Sequence, residues 1–398
     1  MTLVADLHIH SRYSNATSYQ MELPTLASGA RRKGIDLLGT GDCTQPDWLD
    51  TLSSELRDEG TGLYSYDGVT FMVTGEVSLV WKHEEKGRRI HVVLLVPSLD
   101  DAVKIHEALS PRGNLVYDGR PMLGLSAPDF CEIVWEQSPD TLIVPAHVWT
   151  PWYAVFGAKS GFDSLEACFG QYTNRIVAIE TGLSSDPPMN RRVSALDHLR
   201  LISCSDAHSP AKLAREATLF DVENVSFDAI ANALKTGDGY AGTLEFYPQE
   251  GKYHYDGHRS CGISQSPEQS MAANDICPVC GKMLTIGVLH RVMDLADRIE
   301  PELGGVPFKS LIPLAELIAQ AVGKGVNTKA VTKTYDAMLN RHGSELDILL
   351  EHPLDDLAMD TPDRVLEAIT KMRSGDIAIE PGYDGIYGKI EVPFRRRA

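Results

Sequence analysis

The chain has 398 residues, a hydrophobic fraction of 43% and a charged fraction of 23%, the make-up of a globular protein of two or three domains. Its formal net charge of −18 excludes a protein that merely coats nucleic acid with a basic surface, but leaves room for a local basic groove. No apolar run approaches the ~18 residues of a membrane span, and the opening MTLVADLHIH has no basic segment followed by an apolar one, so a cytoplasmic protein with no membrane association is expected.

Runs rich in Val, Ile and Leu at residues 3–9, 35–40, 70–74, 90–96, 142–145, 176–179 and 201–203 read as strands buried on both faces, with 217–222 a further candidate. Helix-like stretches separate them, so residues 1–240 read as an α/β domain, either a closed barrel or a doubly wound sheet. His8 and His10, Asp42, Glu76, His147, and Asp206 with His208 fall at or just past the C-terminal ends of these strands, and His91 sits within the fourth. The carboxyl ends of barrel strands form one catalytic face, so residues far apart in sequence are expected to converge in one pocket. His8-Ile-His10 and Asp206-Ala-His208 each place two ligand-type side chains two residues apart, on one face of an extended chain.

Imidazole mixed with carboxylate suits Zn, Mn or Fe. Such a set is expected to hold two or three divalent cations (Zn, Mn or Mg) that activate water, orient a phosphate and stabilise the leaving oxygen. Asp206, Glu76, His8 and His10 are the expected catalytic core, with Glu76 able to bridge two metals. The chain has no Gly-x-Ser-x-Gly, no P-loop and no Gly-x-Gly-x-x-Gly turn, so serine, nucleotide and dinucleotide chemistries have no comparable support.

Of seven cysteines, Cys43, Cys131, Cys168 and Cys204 lie among apolar neighbours and read as small buried hydrophobes. Near residue 240 the composition changes to Gly, Ser, Tyr and His, which sets a boundary between residues 1–240 and a module at 241–300. Within it, His258-x2-Cys261-x15-Cys277-x2-Cys280 has the spacing of a tetrahedral structural zinc, with His254 an alternative to His258.

Residues 301–398 read as a mainly helical domain. Residues 322–330, Val-Gly-Lys-Gly-Val-Asn-Thr-Lys-Ala, lie between two helix-like stretches and resemble the hairpin that holds a DNA phosphate in a helix-hairpin-helix, with Lys324, Lys329 and Lys333 supplying charge. The last helix is expected to use Thr361 as N-cap, Pro362 as its first residue and Gly375 as its stop. A short β-like tail then runs to Arg395, Arg396 and Arg397.

His8-x-His10, Thr-Gly-Asp42, Glu76, His91, His147 and Asp206-x-His208 resemble, in order and spacing, the PHP phosphoesterase superfamily. The resemblance implies a distorted (β/α)7 barrel with a metal cluster at its mouth. This chain departs from the commoner pattern at Asn15, near a position that is often Asp or His, and at Asp42, where His is frequent. Adding Asp256-Gly-His-Arg-x-Cys261, Cys277-Pro-x-Cys-Gly281, residues 284–291 and the closing Pro381-Gly-Tyr-Asp-Gly-Ile-Tyr-Gly388, nearly the whole chain resembles endonuclease Q.

That resemblance implies a DNA repair endonuclease that cuts 5′ of deaminated bases such as uracil and hypoxanthine, and of abasic sites, with damaged DNA as its partner and replication or repair proteins as possible ones. Such an enzyme is expected to flip the nucleotide out of the duplex. Trp149 and Trp152, with Tyr153 and Phe156, are candidates to stack on it, while Arg12, Tyr13 and the Arg31-Arg32-Lys33 run are candidate phosphate contacts. The competing readings are a small-molecule phosphatase of the same superfamily and a damaged-DNA-binding protein without activity.

Overall fold

The structure is a computed structural model that describes residues 2–394, so the Arg395–397 run lies outside the described residues. Its central sheet is mixed. Strand Leu3–Asp6 pairs in parallel with Leu37–Gly39 (Ala5 opposite Leu37) and antiparallel with Ala217–Phe220 (Val4 opposite Leu219). Leu37–Gly39 pairs in parallel with the 15-residue strand Val69–His83. That strand forms an antiparallel hairpin with Lys86–Val96, which in turn pairs antiparallel with Leu142–Pro145. Two reversals restore the direction, so Leu142–Pro145 runs the same way as Leu3–Asp6. Ala178–Glu180 and Arg200–Ile202 pair in parallel beside it.

This is the expected α/β architecture, with one long hairpin inserted. The hairpin is longer than the two short strands read from sequence, because the polar stretch 82–89 resembles a loop yet continues the ladder to His83 opposite Lys86. Glu76 therefore stands inside a strand and not at its end.

Alternate strand positions divide between two apolar clusters, as the period of two requires. Leu3, Ala5, Leu7, Val93 and Leu95 pack with helix Phe227–Thr236. Val77, Leu79, Val92 and Leu94 pack with helices Leu23–Lys33 and Leu99–Leu109. Serine side chains cap three of the barrel helices: Ser98, Ser126 and Ser226 each accept from the backbone N–H three residues on. Cys43, Cys131, Cys168 and Cys204 are all buried.

The expected boundary at 240/241 falls at the start of strand Tyr240–Glu245, which pairs with Ala217–Phe220 and in parallel with Phe308–Ser310. The main sheet thus extends past it. Beyond lie helices Leu314–Val322, Lys329–His342, Glu345–Leu350 and Asp363–Ser374. The last begins one residue later than expected: Pro362 is its N-cap, and Gly375 ends it with φ 73°. No helix among the described residues is long and apolar enough to cross a membrane.

The Arg31-Arg32-Lys33 run is not free to meet phosphate, because each member is paired within the protein. Arg31 binds Asp67, Arg32 binds Asp336, and Lys33 donates to Glu345 at 2.6 Å. Buried Glu345 also accepts from the Tyr335 hydroxyl at 2.6 Å and the Leu314 N–H at 3.0 Å, joining the first helix to the C-terminal helices. Removing one partner of a buried, hydrogen-bonded pair leaves the other charge uncompensated. Glu345→Ala is expected to destabilise the protein by about 3 kcal/mol, read as a lowered unfolding midpoint in urea; an unchanged midpoint would show that the pair is dispensable.

Candidate metal centre

All the site side chains except Glu76 and His91 come from the same end of the sheet. His8 and His10 follow Leu3–Asp6, Asp42 follows Leu37–Gly39, His147 follows Leu142–Pro145, and Asp206 and His208 follow Arg200–Ile202. Glu76 and His91 arrive from the hairpin: Ser78 is opposite His91, so Glu76 and His91 are diagonal neighbours on one face. Asp42, His147 and Asp206 have φ of 49°, 31° and 47°, left-handed values that non-glycine residues adopt at an energetic cost. The chain turns sharply at each of these strand ends to aim the side chain inward.

Two groups result. His8, His10, Glu76 and Asp206 place four ligand atoms within 4.8 Å of one another, and Glu76, His91 and His147 do the same with three. In the first, Asp206 Oδ1 is 3.0 Å from His10 Nε2 and Glu76 Oε2 is 3.4 Å from His8 Nε2. In the second, Glu76 Oε1 is 2.6 Å from His91 Nδ1 and 3.2 Å from His147 Nε2. Glu76 thus turns one oxygen to each group, the arrangement of a bridging carboxylate.

Glu180 went unnoticed in the sequence. Its carboxylate is buried and accepts from His8 Nδ1 at 2.9 Å and from the His147 backbone N–H at 2.8 Å. Asp42 plays the matching part for His10, accepting from Nδ1 at 3.1 Å. Its other oxygen takes the Ser11 N–H and the hydroxyls of Ser11 and Ser14. Asp42 was expected among the ligands, but the structure places it behind His10 with its oxygens occupied. Carboxylates only accept, so Glu180 and Asp42 hold protons on Nδ1 and leave both Nε2 atoms facing the centre. His208 lies beside His10 with the rings tilted, 4.4 Å between centroids, outside both groups.

The electrostatics fit a cation. Burial opposes charge on His8 and His10, yet the carboxylates around them raise both pKa values well above the ordinary imidazole value. Burial likewise opposes charge on Asp206 and Glu76, and the surrounding imidazoles hold both below the usual carboxylate range. His91 is pulled by burial down to about 4 despite Glu76. Buried His8 Nε2 makes no hydrogen bond among the described residues. An unpartnered imidazole nitrogen between carboxylates fits a divalent cation, which replaces the protons that these ligands otherwise bind. Glu180→Gln should weaken metal uptake and activity by roughly 10–100-fold, the usual effect of losing a partner that orients a ligand. Equal metal affinity in a titration would remove Glu180 from this role.

The other four expected zinc ligands also converge. His258, Cys261, Cys277 and Cys280 place their ligand atoms within 4.8 Å, with Cys280 Sγ 3.3 Å from His258 Nδ1. Three thiols and an imidazole are the donor set of a closed zinc site. Desolvation raises the Cys277 thiol, but the backbone N–H groups of Cys280 and Val279, together with His258, bring it down to about 6, toward the thiolate that a metal needs. His254, the alternative ligand, is outside this group.

The candidate DNA contacts divide. Trp149 is a core residue, 1% exposed, with its indole N–H donated to Asn190 Oδ1 at 2.8 Å, and Phe156 packs against it. Neither can stack on a base. Trp152 is 43% exposed and meets Tyr253 edge to face. Lys324 and Lys329 are exposed at the connection between helices Leu314–Val322 and Lys329–His342. Arg12 is paired with Glu22.

Fold and site together define a PHP-type α/β protein with two adjoining groups of metal-ligand side chains and a separate Cys/His group. Residues 313–376 match the family model described as the MJ0043 C-terminal domain. The chain is 34% identical to the lesion-specific endonuclease PfuEndoQ from Pyrococcus furiosus, over 99% of this chain and 96% of that one, and superposes with a TM-score of 0.89. An endonuclease Q solved with a 27-mer duplex substrate carrying an abasic lesion at its active site gives 34% identity and a TM-score of 0.87, covering 99% and 97%. An uncharacterized protein of Bacillus subtilis, YqxK, is 29% identical over 98% of this chain and 99% of its own length. The uncharacterized protein MJ0043 of Methanocaldococcus jannaschii is 35% identical over 61% of this chain, a match that spans 31% of that protein. The chain belongs to the endonuclease Q family.

Proposed function

We propose that this protein is a DNA repair endonuclease that hydrolyses the phosphodiester on the 5′ side of a deaminated base, uracil or hypoxanthine, or of an abasic site. The observation that carries the reading is the pair of ligand groups sharing Glu76, on a chain whose relatives act on lesions in DNA. His8, His10, Glu76 and Asp206, and Glu76, His91 and His147, would hold the divalent cations (Zn, Mn or Mg), which would supply Lewis-acid charge at the phosphate. Glu180 and Asp42 hold the imidazoles in register. Asp206 and His208, 27% and 31% exposed, leave the centre open on one side to substrate.

A cavity of about 620 Å³ lies beside the ligand groups, lined by Trp152, Phe246, Tyr253, His254 and Tyr387 among others. Two further lining residues touch the site directly: Thr150 bonds His147 Nδ1 at 3.0 Å, and Arg215 bonds the Ser205 carbonyl at 2.8 Å. Aromatic walls beside a phosphodiester site suit an extruded nucleotide, and mismatched bases extrude most easily. This cavity supports the lesion-specific reading over a small-molecule phosphatase.

The test is a labelled duplex with one deoxyuridine, deoxyinosine or abasic site, incubated with Mg or Mn. A single nick 5′ of the lesion, absent from undamaged duplex, is expected. Phosphate release from p-nitrophenyl phosphate without nicking would favour the phosphatase; binding of lesion DNA without either would favour an inactive binder.

A further inference from the structure

We propose that Arg120 is a substrate-phosphate contact of this site, held over the open side of the metal groups by a clamp between Asn15 and Asp118. The inference rests on the endonuclease reading and adds to it a residue that carries none of the ligand motifs.

Arg120 Nη1 lies 3.3 Å from Glu76 Oε2, and its side chain is 25% exposed, close to the values for Asp206 and His208 at the same opening. This is the one side-chain hydrogen bond that the guanidinium makes among the described residues. Five N–H donors in a planar fork are available, so most of them remain for a ligand. Glu76 Oε2 is also 3.4 Å from His8 Nε2 and 3.3 Å from His10 Nε2, which makes it one of the atoms that would hold a cation. The guanidinium and a bound cation would compete for that oxygen, which would leave the partly exposed guanidinium free for a ligand. Nearby Arg215, by contrast, is committed to the backbone carbonyls of Ser205 and Asp206.

The position of Arg120 is built. Asp118 Oδ1 accepts the backbone N–H groups of Asn15 and of Arg120, both at 3.1 Å, and Oδ2 accepts Asn15 Nδ2 at 2.6 Å. Gly119 N–H donates to the Tyr13 carbonyl at 3.0 Å. A Cβ on Gly119 would overlap the Asp42 carboxylate and the Ser14 hydroxyl, so only glycine lets this loop lie against the residues that hold His10. Asn15, where the chain departs from the superfamily pattern, is used here to hold Asp118, which in turn holds the Arg120 backbone.

A phosphodiester presents two anionic oxygens, which a guanidinium fork can meet in pairs where a lysine acts as a point charge. The chain carries a net charge of −18, and a polyanion approaching an acidic centre needs a local cation. Arg120 supplies one at the place where the ligand groups are open.

The experiment compares wild type, Arg120→Met, Arg120→Lys and Asp118→Ala on a labelled duplex with one tetrahydrofuran abasic-site analogue. Single-turnover nicking is measured with Mn, and binding as a function of salt is measured without added metal. Arg120→Met should lower the nicking rate by about 10²-fold and flatten the log K against log salt slope by about one unit. Arg120→Lys should keep the slope and regain part of the rate, which separates lost contact from misfolding. Asp118→Ala should lower the rate about ten-fold at unchanged slope, because the charge remains but is no longer positioned. Wild-type nicking by Arg120→Met, or a rate loss without a change of slope, would overturn the proposal. Failure of the wild type to nick any lesion would instead sink the endonuclease reading itself, and this inference with it.

Discussion

Asp206→Asn should eliminate nicking of lesion-containing duplex while leaving the fold intact. Asp206 Oδ1 sits 3.0 Å from His10 Nε2 and 3.8 Å from His8 Nε2, so it is the carboxylate that completes the first group beside Glu76. Asn has the same shape and keeps a weak oxygen donor, but it removes one of two anionic charges from that group. The imidazoles would then face a single carboxylate, Glu76, which is already shared with His91 and His147. Loss of an orienting partner costs roughly 10–100-fold, so loss of a direct ligand is expected to exceed 10²-fold. Stability should hardly change, because Asp206 is partly exposed and its main-chain carbonyl, not its carboxylate, receives Arg215. Nicking rate and thermal midpoint, measured on the same preparation, separate the outcomes. A variant that retains a tenth or more of the activity would remove Asp206 from the ligand set, and a collapsed midpoint would make its role structural.

Much of this centre was legible because strand placement and spacing carry it. His-x-His and Asp-x-His announce themselves within three residues, and short apolar runs before His147 and Asp206 mark the strands that end there. The residues that escaped notice act through partners far away in sequence. Glu180 ends a short strand with no histidine near it, and its role appears only when the fold brings His8 within reach across 172 residues. Arg120 and Asp118 lie in a loop whose purpose is set by Asn15, 103 residues earlier. Asp42 showed the right strand-end signal, yet whether it ligates or orients depends on Ser11 and Ser14, whose hydroxyls reach the same oxygen. Trp149 and Trp152 look alike in sequence, and only the course of the loop decides that one bonds Asn190 in the core while the other lines the cavity. The continuation of the main sheet past residue 240 was hidden for a related reason. Strand Tyr240–Glu245 contains Gly242 at φ 124°, against which the Pro307 carbonyl packs, and a glycine in a short run reads as a break rather than as the close approach of another strand.

The Cys/His group leads to the second large effect. Between residues 246 and 287 the buried apolar side chains are Pro248, Pro267, Cys277 and Leu284, too few to order a segment of that length by burial alone. What holds it are the short hairpin of Asp256–His258 with Ile263–Gln265, the exchange of backbone bonds between Gly257 and Thr285, and the four side chains converging on one point. A structural zinc in such a module contributes folding free energy directly, on the order of 10 kcal/mol or more. Cys280→Ser removes one exposed ligand with little change of shape. It should lower the zinc content by about one equivalent per chain and open residues 246–287 to limited proteolysis. Lys252, Tyr253 and His254 line the cavity beside Trp152, so the same change should abolish preference for the lesion strand while the barrel groups still take up Mn. Zinc content equal to wild type, with an unaltered proteolytic pattern, would mean that the four side chains hold this segment without a metal. Lesion preference retained after zinc loss would detach the module from the cavity wall and return recognition to the barrel loops alone.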